Sequence, residues 1–208
     1  PHSAFSFLDA ASTPMELPAA AAAQGYPAFA LTDHDGVWGS MEFAHACKGF
    51  GVRPITGAEL TVREGERDFH LTLLAEDETG YRSLCRLLTA AHSHTRDNTP
   101  RQAMQPWATL EQAEEHAAGL VCLSGCARDG AVAGAFERKD TGAGERLARR
   151  LLAAFGRDRF RVELHAHSAF SFLDGASTPM ELAAAAAAQG YPAFALTDHD
   201  GVWGAVGV

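Results

Sequence analysis

Apolar and polar positions along this chain switch repeatedly between helical and strand spacing. Thr13-Pro14-Met15-Glu16 has capping-box spacing with proline at the first helical position, which predicts an alanine-rich helix ending near Gln24-Gly25. Pro27 to Thr32 is a short apolar run suited to a buried strand, and it stops at Asp33-His34-Asp35-Gly36. Gly39 to Phe50 predicts a helix, and Arg53–Thr56, Leu60–Val62 and Phe69–Ala75 predict strands. Glu78 to Ala91 has helical spacing, polar His92 to Gln105 reads as a loop, and Leu110 to Ala118 reads as a helix. Leu120–Leu123 is a strand ending at Ser124-Gly125-Cys126, and Gly144–Phe155 is an amphipathic helix with Arg146, Arg149 and Arg150 on its wet side. Arg159 to Ala166 closes the series as a strand. This alternation predicts an α/β fold with a parallel sheet or barrel rather than a sandwich.

The organisation is unusual in one respect. Residues 2–39 recur as residues 167–204, differing only where Ala10 becomes Gly175 and Pro18 becomes Ala183. Solenoid units diverge and occur several times, whereas this pair is nearly letter-identical and flanks a long non-repetitive middle. We therefore read residues 1–164 as one domain and residues 165–208 as a second copy of residues 1–43. Only the second copy is preceded by the strand that runs into His165-Ala166-His167. That strand, Phe160 to His165, is placed to close a barrel beside the Pro27 strand.

Composition narrows the function. The formal net charge is −9, so no overall positive field exists to hold a nucleic-acid backbone by counterion release. The longest alanine runs, Ala19–Ala23 and Ala183–Ala188, fall far short of the roughly 20 residues needed to span a bilayer. The expected location is the cytoplasm, and Cys47, Cys85, Cys122 and Cys126 are expected to be thiols. Neither a Gly-x-x-x-x-Gly-Lys-Ser/Thr phosphate loop nor a Gly-x-Ser-x-Gly elbow is present, and Ser124-Gly125-Cys126 lacks the surroundings of a thiol nucleophile.

The ten histidines carry the chemical lead. In βα folds the working residues gather at the carboxyl ends of strands. His165 and His167, His34, Glu59, His70 and Cys126 all end or border predicted strands, with Asp9 and Asp174 in the loops that follow His2 and His167. Imidazole, carboxylate and thiolate are ligands of zinc and related ions, and a polynuclear site would clamp a phosphate and take its nucleophile from water. Singly, each has an ordinary reading. A lone His-x-His is more often a surface pair, Thr-Asp-His-Asp-Gly is also turn chemistry, Glu59 alone is a solvated acid, and Cys126 alone is a small buried residue. His45, His92, His94 and His116 are expected to be solvated. Phe5, Phe7, Leu8, Phe170, Phe172, Leu173, Trp38 and Trp203 are expected to be packing residues.

Taken together, His165-Ala166-His167-Ser168, Phe172-Leu173-Asp174-Gly175-Ala176-Ser177, Thr197-Asp198-His199-Asp200-Gly201, Gly57-Ala58-Glu59-Leu60, His70-Leu71-Thr72-Leu73-Leu74-Ala75, Gly80-Tyr81-Arg82, Leu84-Cys85-Arg86-Leu87 and Leu123-Ser124-Gly125-Cys126 resemble the polymerase-and-histidinol-phosphatase (PHP) domain. The likeness is to the amino-terminal PHP domain of bacterial DNA polymerase III alpha subunits, particularly the error-prone branch. It implies a distorted (β/α)7 barrel, here incomplete and with a duplicated terminal segment, whose mouth holds up to three divalent ions such as Zn, Mn or Mg. The implied ligands are His2, Asp9, His34, Glu59, His70 and Cys126, with His165, His167, Asp174 and His199 offered by the copy.

Against the family pattern, only the second copy has a complete His-x-His, and the late Asp-x-His pair has no counterpart, so fewer ions are implied here. The resemblance further implies metal-dependent phosphoesterase or 3′–5′ exonuclease chemistry, with the rest of the polymerase as partner and DNA met only in that context. The other readings it leaves are a structural module without catalysis and a stand-alone phosphatase of histidinol-phosphatase type. No polymerase palm carboxylates fit in this length.

Overall fold

A twisted β-hairpin is the backbone of the fold. Its strands, β2 (Arg53–Glu64) and β3 (Arg67–Ala75), pair from Gly57 opposite Leu74 to Glu64 opposite Arg67. They are joined by Gly65-Glu66, with Gly65 at φ +64°, the conformation a two-residue hairpin loop asks of a glycine. This computed structural model describes residues 1–6, 10–95, 104–125 and 129–162, with the side chains of residues 136 and 137 left aside. All of these residues lie within the unit Pro1–Glu163.

β1 (Ala28–Leu31) runs parallel to the first half of β2, and the two-residue β4 (Ala108–Thr109) runs parallel to it further along at Val62 and Arg63. On the other side β3 pairs antiparallel with β5 (Leu120–Leu123), which pairs parallel with β6 (Phe160–Arg161). The main path of this curled half-barrel sheet is therefore β1-β2-β3-β5-β6.

Two expectations change. The sheet is mixed, not all parallel, because a two-residue link between β2 and β3 leaves no room for a crossover helix. The two short strands expected at 53–56 and 60–62 are one strand. Gly57 sits inside it because a Cβ there would lie 2.5 Å from the Leu73 carbonyl oxygen, so the close hairpin needs a glycine. The described part of the Phe160 strand pairs with β5, and residues 163–165, on which closure beside β1 would rest, lie outside the described residues.

Around the sheet lie α1 (Glu16–Ala23), α2 (Ser40–Phe50), α3 (Glu78–Ala91), α4 (Leu110–Glu115), α5 (Ala133–Glu137) and α6 (Thr141–Phe155), with a 3-10 turn at Ser93–Thr95. The capping box read at Thr13 forms by half. Glu16 accepts from the Thr13 backbone N–H at 2.8 Å, but the Thr13 hydroxyl donates to the same carboxylate instead of accepting from the helix. A complete box caps α4, where Thr109 and Gln112 exchange both bonds. Asp140 caps α6 by accepting from the Ala143 N–H, so this helix starts three residues before the apolar pattern does.

Period-two alternation assigns the two faces of the hairpin. Ala58, Leu60, Val62, Phe69, Leu71 and Leu73 turn to one side and form the main core with Leu84 and Leu87 of α3, Leu110 of α4, and Leu147, Leu151 and Phe155 of α6. A smaller cluster of Leu31, Phe43, Cys47 and Val52 seats α2 against β1. Arg150 is less wet than expected from its helix position. Its guanidinium reaches Glu114 at 2.7 Å, Glu111 at 2.9 Å and Glu64 at 3.2 Å, tying α6 to α4 and to the end of β2.

Among the described residues no helix is long and apolar enough to cross a membrane. Cys47, Cys85 and Cys122 are free thiols, as expected.

Leu71 is fully buried at the centre of the hairpin's apolar face, whereas Met41 is 81% exposed. Leu71→Ala is expected to lower the unfolding free energy by about 2–5 kcal/mol, and Met41→Ala by under about 0.5 kcal/mol, in urea titrations. Equal costs would contradict the assignment of faces.

Candidate metal centre

With Leu60 and Leu71 committed to the core, Glu59, Thr61, His70 and Thr72 fall on the opposite face of the hairpin. Glu59 and His70 are thus mid-strand residues, not carboxyl-terminal ones. The end of β1 reaches them by a parallel bridge between His34 and Glu59, in which the Glu59 N–H donates to the Asp33 carbonyl and the Asp35 N–H donates to the Glu59 carbonyl. That bridge sets the His34 side chain beside the Glu59 carboxylate.

Asp33 itself is 1% exposed and serves the site through its bonds. Its carboxylate accepts from the Ser3 N–H at 2.6 Å, the Ser3 hydroxyl at 2.8 Å, the Ser6 hydroxyl at 3.1 Å and the Gly39 N–H at 3.1 Å. Ser6 Oγ also accepts from the His34 N–H at 3.0 Å, and the Thr32 N–H donates to the Pro1 carbonyl at 3.0 Å. His2, between two pinned residues, is held at the end of β1.

The outcome is three imidazoles around one carboxylate. His2 Nε2 lies 3.2 Å from Glu59 Oε2, His34 Nε2 lies 3.8 Å from Oε1, and His70 Nδ1 lies 2.9 Å from Oε1. The rings are also mutual neighbours, with centroids 4.4 Å apart for His2 and His34 and 5.2 Å for His34 and His70. Ligand atoms of His2, His34 and Glu59 all fall within 4.8 Å of one another. Nitrogen and carboxylate donors so spaced fit a divalent transition ion.

Charge is arranged accordingly. Burial works to raise the Glu59 pKa, but hydrogen bonds from His2 and His70 and the nearby imidazole charges hold it well below the usual carboxylate range. Burial works against a charged His70, yet its bond to Glu59 and that carboxylate's charge raise its pKa. Desolvation raises the pKa of buried Asp35, which accepts from the Thr61 N–H at 2.7 Å and the Thr61 hydroxyl at 3.0 Å.

The PHP domain family model matches residues 1–166 and, a second time, residues 163–207. The chain belongs to the PHP domain family. Among curated relatives, this PHP domain is 42% identical over 174 residues to an error-prone DNA polymerase of Symbiobacterium thermophilum, matching 79% of this chain and 16% of the relative. It is 40% identical to the error-prone DNA polymerase of Mycobacterium tuberculosis, across 80% of this chain and 15% of the relative. It is 34% identical to the DNA polymerase III subunit alpha of Treponema pallidum, across 80% of this chain and 14% of the relative. The chain thus spans about one-sixth or less of the length of these relatives. A solved amidohydrolase from Chromobacterium violaceum, 23% identical, shares the fold with a TM-score of 0.54, covering 96% of this chain and 85% of that one.

Of the residues expected as ligands, His2, His34, Glu59 and His70 are brought together. Asp9, Cys126, His165, His167, Asp174 and His199 lie outside the described residues. The loop that carries Cys126 is described on either side. The Asp129 carbonyl accepts from the His70 N–H at 2.7 Å, and Gly125, at φ +80°, packs on the His70 carbonyl too closely for a side chain.

Two readings of the PHP domain's aromatic residues are corrected. Trp38 is 56% exposed and Phe5 46% exposed, so neither is a core residue. They belong to the loops that follow the strand end and the tethered start of the chain, outside both hydrophobic clusters. His92 is not simply solvated, since its Nε2 lies 2.8 Å from the Asp35 carbonyl oxygen at the edge of the site. No sequence signal marked it, because the contact joins residues 57 positions apart. His94 and His116 likewise bond backbone carbonyls, of Gln105 and Gln112.

Asp33→Ala is expected to lower the unfolding free energy by about 2–4 kcal/mol, because the buried Ser3 and Gly39 N–H groups lose their acceptor. It should also broaden the His2 imidazole resonances in NMR spectra, and an unchanged His2 would contradict the tether. For the metal-free PHP domain, the raised His70 pKa gives stabilisation that is complete below the ordinary histidine value of about 6.5 and is lost as pH climbs through the folded value. The depressed Glu59 pKa preserves its share until the pH falls below the ordinary 4.5. Urea midpoints in EDTA should show the advantage of wild type over His70→Gln shrinking as pH rises from about 5.5 to about 9. A widening gap would contradict the pairing.

Proposed function

We propose that this PHP domain binds divalent metal ions through His2, His34, Glu59 and His70 and hydrolyses phosphoesters. The observation that carries the reading is the convergence of ligand atoms from residues 2, 34 and 59 within 4.8 Å. Asp9 and Cys126, with His165, His167, Asp174 and His199 of the repeated segment, are proposed as further ligands. Zn, Mn and Mg are the ions considered. Bound ions supply Lewis acidity toward a phosphoryl oxygen and toward water.

The chain's own residues do the rest. Glu59 offers both oxygens to the centre, and His70, hydrogen-bonded to Oε1, fixes the carboxylate's orientation. Asp33 and Ser3 keep His2 in place, and Asp35 holds Thr61 and the turn after His34. Core packing on the far side of the hairpin keeps this face rigid.

In the proposed organisation, residues 1–164 form the PHP domain and residues 165–208 a second copy of residues 1–43, both within an error-prone DNA polymerase of the cytoplasm. DNA is met through that larger protein, and 3′–5′ exonuclease chemistry is the form the hydrolysis would take there. A second reading, a structural module that supports the polymerase without catalysis, is favoured by the match to polymerases of which this chain spans about one-sixth or less.

Elemental analysis, with hydrolysis of p-nitrophenyl phosphate and bis(p-nitrophenyl) phosphate in Mn²⁺ or Zn²⁺, decides between them. Hydrolysis is expected, abolished by EDTA and reduced at least about 10- to 100-fold by Glu59→Gln. Metal-replete but inert protein would leave the structural reading, and metal-free, inert protein would remove the metal centre as well.

A further inference from the structure

Trp38 is an exposed indole that is nevertheless fixed. Its N–H donates to the His34 carbonyl at 3.1 Å, and its ring meets His92 edge-to-face at a centroid distance of 5.8 Å and an interplanar angle of 86°. His92 is anchored in turn on the Asp35 carbonyl at 2.8 Å. Gly36 lies against the indole so closely that a Cβ there would push the ring from this position. Three neighbours therefore set the plane of a side chain that remains 56% exposed.

The position of this ring gives the exposure meaning. His34 bonds the indole through its carbonyl and faces Glu59 with its imidazole, so a single residue joins the aromatic surface to the metal centre. The loop after β1 therefore carries both the indole and an imidazole of the centre. With a net charge of −9, the chain offers no long-range attraction for an anion, so affinity beyond the metal-held phosphate must come from short-range contact. An ordered aromatic face supplies such contact at small entropic cost, and every nucleobase has a π-face to meet it.

We propose that Trp38 is the stacking platform for the base of a nucleotide whose phosphate occupies the His2–His34–Glu59 centre. The proposal rests on the phosphoester reading above and adds the residue that receives the base. A mononucleotide and the end of a strand share this chemistry.

The test uses the full chain loaded with Zn²⁺ and compares AMP with ribose 5-phosphate, which has the same phosphate and sugar but no base, by equilibrium dialysis. AMP is expected to bind about 5- to 150-fold more tightly. W38F, which keeps an aromatic face, retains most of that ratio, and W38L brings it near one. The Trp38 indole N–H resonance should shift with AMP and not with ribose 5-phosphate. A short oligo-dA separates the sources, since tighter binding than AMP assigns the platform to strand ends and equal binding assigns it to mononucleotides. Equal binding of AMP and ribose 5-phosphate, or a ratio untouched by W38L, would overturn the platform and leave the metal centre standing. Failure of both ligands to bind would overturn the phosphoester reading, and the platform with it.

Discussion

The carboxylate of Asp33 is the fixed point of this molecule. A buried carboxylate without partners carries a large desolvation cost, and here it is met by Ser3, Ser6 and Gly39, residues from both sides of the strand end. Those bonds bind the start of the chain, the end of β1 and the start of α2 into one knot. Through Ser3, that knot holds His2 at the end of β1, beside Glu59. The Ser6 hydroxyl extends the knot by accepting from the His34 N–H, so two of the imidazoles are positioned by one buried acid.

The hairpin supplies the other half. Once Leu60 and Leu71 are buried, the pleat leaves no freedom in where Glu59 and His70 point. The bridge between His34 and Glu59 then joins the two halves, and the imidazoles surround a carboxylate whose negative charge they stabilise. Stability and chemistry are thus divided between the faces of the same two strands. The cluster of His2, His34, Glu59 and His70 sits on the hairpin's polar face, while Trp38 stands exposed in the loop after β1.

Local signals revealed much of this. The strand at Ala28–Leu31, the helices at Ser40–Phe50 and Glu78–Ala91, and the strand at Leu120–Leu123 follow from apolar spacing and their bounding residues. The PHP pattern in the sequence groups His2, His34, Glu59 and His70 without any geometry. What spacing could not give was long-range. Gly57 looks like a break until Leu73 is seen behind it, and His92 looks solvated until Asp35 is seen beside it. Trp38 looks like core because its type is highly buried on average, yet it is held outside the core by a bond to the His34 carbonyl. The two residues of β4 are too few to carry any periodicity.

The most direct measurement is a titration of the imidazole NMR signals with Co²⁺. If His2, His34 and His70 share one centre with Glu59, their resonances shift or broaden together at the same metal ratio while those of His45 and His116 persist, and Glu59→Gln abolishes the effect. Perturbation of a single histidine, or a response that Glu59→Gln leaves intact, would contradict a shared centre.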